Sequence, residues 1–94
     1  MSVRLLLPQA LATFAGGERE LLIEAPANAT VGEVLDLLSH RSPALARRII
    51  DETGALRTFV NVYVGSEECR RLQGLATPVP DGCDVFVVGS IAGG

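Results

Sequence analysis

The chain ends Ser90-Ile91-Ala92-Gly93-Gly94, and no side chain from Val85 onward ionises, so the α-carboxylate is the one charge this segment carries. A carboxylate is a poor acyl donor until it is activated, typically by transfer onto a nucleotide. A thiolate or an amine can then attack the activated carbonyl. Glycines at the last two places suit such handling, because without Cβ atoms they thread a narrow channel and let backbone approach a nucleotide closely. The six residues from Gly89 reach about 20 Å when extended, enough to carry the carboxylate from a domain surface into another protein's active site. A frayed end is the plainer alternative. The activating machinery has to belong to another protein, since the sequence holds no glycine-rich phosphate loop with lysine.

Other side chains offer less. His40 is the only histidine and falls near a helix end, where a cation meets the helix dipole favourably; capping or exposure explains it better than catalysis. Cys69 and Cys83 are separated by thirteen intervening residues and form no C-x-x-C motif, so the expectation is two reduced structural thiols rather than a metal or redox site. Flanking Asp81 and Asp84 disfavour a thiolate at Cys83. These two aspartates with Glu67 and Glu68 lack the spacing of a calcium loop and read as a solvated acidic face; no metal is expected.

The elements that must position the tail follow from the rest of the chain. A length of 94 residues supports one domain with a single core, 48% hydrophobic and 20% charged, and leaves no room for a separate cofactor domain. A net charge of −3 argues against nucleic acid or an anionic membrane as partner. All eight basic residues are arginine, which a GC-rich genome explains and which leaves no side-chain amine for acylation. No apolar run is long enough for a membrane helix, and strand-like residues begin at once after Met1-Ser2, so a cytoplasmic protein is expected.

Val3 to Leu7, closed by Pro8, predicts a first strand, and Arg19 to Ala25 a second, joined through the Gly16-Gly17 turn into a hairpin. Thr30 and Glu33 form a T-x-x-E capping box, after which Val31, Val34, Leu35 and Leu38 share one face of a helix over 31–39. Ser42-Pro43 reads as the start of a second helix ending near Gly54, with Leu45, Ile49 and Ile50 inward and Arg47 and Arg48 outward. Phe59 to Val64 is the strongest strand signal, residues 67–73 an edge strand, and Asp84 to Val88, after the Asp81-Gly82 turn, the last strand. A hairpin, a crossover helix and later strands predict an α+β, ubiquitin-like β-grasp fold: a mixed sheet with the helices packed on one face. The ferredoxin-like alternative needs a second helix between the last two strands, where residues 65–84 carry three glycines, two prolines and no helical period. The domain is expected over 1–88, with 89–94 a flexible tail.

Phe59-Val60-Asn61-Val62-Tyr63-Val64, Gly74-Leu75-Ala76-Thr77-Pro78, Asp81-Gly82-Cys83-Asp84-Val85 and the terminal Ala92-Gly93-Gly94 together resemble the ubiquitin-like sulfur carriers of the ThiS/MoaD family, most of all its cysteine-biosynthetic type. The resemblance implies a protein co-substrate rather than an enzyme. A ubiquitin-activating-type enzyme, using ATP and magnesium, would adenylate the terminal carboxylate; a sulfur donor would convert it to a thiocarboxylate; a biosynthetic enzyme would accept the sulfur. It assigns Gly94 as the reactive residue and Gly93 as its steric enabler, with no cofactor bound by the chain itself. It also implies an apolar patch on the sheet gripped by the partner, for which Phe59, Leu75 and Phe86 are the candidates, although core packing competes for both aromatics. The stretch from His40 to Thr58 is longer than in thiamin-pathway carriers, which leaves the cysteine-type carrier and the molybdopterin synthase small subunit as alternatives. A protein modifier attached to lysines of other proteins, or a plain binding module, would share the same outline.

Overall fold

The structure, a computed structural model, describes residues 1–89. Strand β1 (Ser2–Leu6) and strand β2 (Glu20–Glu24) alternate in and out: Val3 and Leu5, Leu21 and Ile23 are buried while Ser2, Arg4, Glu20 and Glu24 face solvent. Period-two patterning of this kind gives one buried face per strand. The two pair antiparallel as a hairpin, with Leu5 opposite Leu21. Helix α2 (Val31–Arg41) opens on the capping box, Thr30 N donating to Glu33 Oε1 at 2.9 Å and Glu33 N to Thr30 Oγ1 at 3.2 Å. Its buried face is Val31, Val34, Leu35 and Leu38. Helix α3 (Pro43–Ile49) buries Leu45, Ala46 and Ile49 and leaves Arg47 and Arg48 outside. Strands β3 (Val60–Val64), β4 (Glu67–Glu68) and β5 (Val85–Gly89) complete a five-stranded sheet in the order β2-β1-β5-β3-β4. The central β1–β5 pair is parallel and the others antiparallel, so the sheet is mixed. Valines 60, 62, 64, 85 and 87 meet the helices' apolar faces in one core, the β-grasp arrangement expected from the element order.

Local departures have local causes. The hairpin connection contains a short helix α1 (Gln9–Ala12) running into a 3-10 turn at Thr13–Ala15, and only then the glycine turn. Four residues are too few to show a helical period. Burial of Ala12 and contact with α3 hold the segment. Gly16 and Gly17 do take positive φ, 68° and 88°, as that turn requires. Ser42 does not cap α3 with its side chain, and Ile50 has already turned extended, pairing with Leu56 rather than continuing the helix to Gly54. Asp51 terminates it by accepting from the backbone of Thr53 and Ala55, at 2.8 and 3.1 Å. The edge strand stops at Glu68, whose carboxylate accepts from Arg70 N at 3.0 Å and starts a 3-10 turn that sends Cys69 into the core.

Candidate functional site

The site is the end of the sheet from which the tail departs. Strand β5 lies between β1 and β3, and Gly89, its last residue, is opposite Val60, the first of β3. Gly93 and Gly94, with the rest of 90–94, lie outside the described residues. The root they extend from is paired antiparallel to β3 as far as Gly89, while the parallel pairing to β1 holds the start of β5 at Val85 and Phe86.

Because Val85 and Val87 point inward, Phe86 and Val88 occupy the opposite face, which no helix covers. Phe86 has Leu6 beside it on one strand and Tyr63 on the other; Val88 has Asn61. Phe86 is 37% exposed and Val88 43%, and Phe59, in the turn just before β3, is 55% exposed. Neither phenylalanine belongs to the core, contrary to the usual burial of strand aromatics: the inward places are already filled by valines one residue away. Leu75 is elsewhere. It lies on the helix layer, where Gly32 of α2 comes so close that a Cβ there would stand 3.1 Å from the Leu75 carbonyl oxygen. The structure therefore separates Leu75 from Phe86, and the open sheet face is made instead by Leu6, Tyr63, Phe86 and Val88. The sequence did carry a signal for the added members: apolar residues at the outward positions of strands whose inward positions are apolar too.

Charges frame this surface. Arg4 holds Asp84, at the head of β5, through Nη2 to Oδ2 at 2.6 Å and Nε to Oδ1 at 3.1 Å. Donation from Arg4 holds the Asp84 carboxyl below the usual carboxylate range, and the same contact pushes the guanidinium up. Asp84 is thus paired rather than part of a freely solvated acidic face. The thiols divide: both are free, Cys69 is buried with its pKa pushed up by burial, and Cys83 is half-buried. His40 is exposed, with Nε2 3.9 Å from Asp36 one helical turn away. Among the described residues no cluster of His, Cys, Asp and Glu could hold a metal ion, and no helix is long and apolar enough to cross a membrane.

A family model described as the ThiS family matches residues 5–94, from the middle of β1 through the terminal glycines. The chain belongs to the ThiS family. Among curated relatives, the sulfur carrier protein CysO of Mycobacterium tuberculosis is 32% identical over 96 residues, covering 100% of each chain. Small archaeal modifier protein 3 of Haloferax volcanii is 36% identical over 78 residues, 83% of this chain and 84% of that one. Of solved structures, the Amycolatopsis orientalis BexX/CysO complex contains a chain 34% identical, with a TM-score of 0.85 over 98% of this chain and 99% of that one. The ubiquitin-like β-grasp fold is thereby established for this member as well.

Proposed function

We propose that this chain is a sulfur carrier whose reactive group is the Gly94 carboxylate. A carboxylate oxygen attacks the α-phosphorus of ATP, held with magnesium by a ubiquitin-activating-type partner; pyrophosphate leaves and an acyl-adenylate forms. A sulfide-level nucleophile from a sulfur donor then displaces AMP, and the resulting thiocarboxylate gives its sulfur to an acceptor enzyme making cysteine or another sulfur-containing metabolite. The chain's own part is to present the terminus: β5 anchors the root, Gly93 and Gly94 pass the partner's channel, and Phe86 with Phe59 and Val88 gives the partner an apolar hold beside the exit. It acts as co-substrate rather than catalyst. The observation that carries the reading is the family match running unbroken to a terminal Gly-Gly. The likeness to a chain solved as part of the BexX/CysO complex supports work in the grip of a second protein.

The test is intact-mass analysis after incubation with the activating enzyme from the same genome, ATP, magnesium and a sulfur source. Replacement of one terminal oxygen by sulfur is expected, and deletion of Gly94 abolishes it. An unmodified mass beside an enzyme proven active on another carrier would overturn the reading. The likeness to an archaeal modifier protein favours a second reading, isopeptide attachment to lysines of other proteins. Adducts that survive reducing agent would reveal it. Lacking lysine, the chain could be attached only singly, never linked to itself through lysine.

A further inference from the structure

At the tail-exit end, on the helix side of the sheet, the side chains of Phe14, Ala44, Arg47, Arg48 and Arg57 line an open groove of about 360 Å³. Its walls come from the two segments that flank β5. Strand β1 runs on through α1 to Phe14, and Arg57 precedes β3, its carbonyl accepting from Val60 N at 3.0 Å. Helix α3 supplies the rest. Two of the arginines are held in place: Arg48 lies 4.4 Å over the Phe14 ring, and Arg57 Nε donates to the Arg47 carbonyl at 2.7 Å. Among the described residues none of the three makes a salt bridge. The carboxylate next in line, Asp51, spends an oxygen on Thr53 and Ala55, and Arg57 is the least of the causes that lower its pKa. Three arginines lining one groove make a local positive patch in a chain of net charge −3, suited to an anion.

The chain itself brings one. Gly89 is paired with Val60, three residues from Arg57, and five further residues follow it, a contour of roughly 17 Å. No side chain among them ionises, so the charge they deliver is the terminal carboxylate alone. We propose that the groove of Arg47, Arg48 and Arg57 is a carboxylate-binding site whose occupant is the Gly94 terminus of the same chain, docked there between visits to partner proteins. This rests on Gly94 being the reactive terminus, as proposed above. A thiocarboxylate is also an anion and fits the same site, so the loaded terminus docks as well. Exposed ion pairs are individually weak, but tethering places the carboxylate at millimolar effective concentration, which gives a contact that salt loosens and a partner readily displaces.

Amide and arginine Nε NMR signals of the full chain test this without any enzyme, so failure here is distinct from failure of sulfur loading. Three proteins are compared: wild type, Arg47→Ala/Arg48→Ala, and a wild-type chain whose terminus is a neutral α-carboxamide. Both arginines are exposed, so the double variant keeps the fold, and its unchanged core signals verify that. Docking predicts that Gly93 and Gly94 signals differ between wild type and the double variant, that arginine Nε signals differ between wild type and the carboxamide, and that raising NaCl from about 20 to about 500 mM, past the screening range, removes both differences. The wild-type terminal carboxyl also titrates at lower pH than in the double variant. Identical tail signals in wild type and the double variant, with identical arginine Nε signals in wild type and the carboxamide, overturn the proposal. So does a groove whose arginines respond to added phosphate while the tail does not, because the anion would then come from outside the chain.

Discussion

Truncation of Phe86 to alanine separates what the open sheet face does for the fold from what it does for a partner. The ring is 37% exposed, so roughly 60% of an aromatic side chain's 150–250 Å², about 90–150 Å², is covered by neighbours including Leu6 and Tyr63. At about 25 cal/mol per Å² that is about 2–4 kcal/mol, and a compact unfolded chain lowers it toward about 2. In a domain of this size such a loss drops Tm by about 8–16 °C. Urea denaturation of wild type, Phe86→Ala and Phe86→Leu measures it, with leucine restoring most of the stability. A domain with about 5–15 kcal/mol to begin with stays almost wholly folded at 25 °C after losing 2. A fall in adenylation rate with the activating enzyme at that temperature therefore reports the exposed part of the ring and not unfolding. If Phe86→Ala costs less than about 0.5 kcal/mol, the ring is not packed across β1 and β3 as argued. If stability falls but adenylation at low carrier concentration is unchanged, the face is structural and the partner grips elsewhere.

Removing the capping hydroxyl by Thr30→Ala should cost about 1 kcal/mol in urea denaturation, and adding Glu33→Ala should cost less than the sum of the single losses, because the two form one reciprocal cap. Asp84 has a folded pKa below its unfolded one, so its pairing with Arg4 contributes stability that is complete above about pH 4 and is lost as pH falls through the folded value. Asp84→Asn should flatten that part of the acid limb, and wild-type and variant curves should converge at the acid end. A thiol reagent added to the native protein should modify half-buried Cys83 and spare buried Cys69 until urea is added; Cys83→Ser should leave the native protein unlabelled.

Residues whose information is local could be read from the sequence alone. Thr30 and Glu33 start α2 where their spacing says, because a capping box needs only four consecutive residues. Alternation in β1, β2, β3 and β5 depends on the pleat alone, and the lack of any ionising side chain from Val85 onward is plain in the sequence. Tertiary structure decided whatever depends on neighbours distant in sequence. Helix α1 exists because α3 packs beside it, and Glu67–Glu68 stops short because Cys69 finds a place in the core. Leu75 looked like a companion of Phe86 until the chain's path put it on the helix layer against Gly32. Phe59 and Phe86 look like core in a list of residue types and are surface in space, since an odd or even place in a strand chooses the side and valines had taken the inner one. The arginine groove is the clearest case: residues 14, 47, 48 and 57 have no shared motif, and only the placing of β5 between β1 and β3 brings them together at the strand end from which the terminus departs.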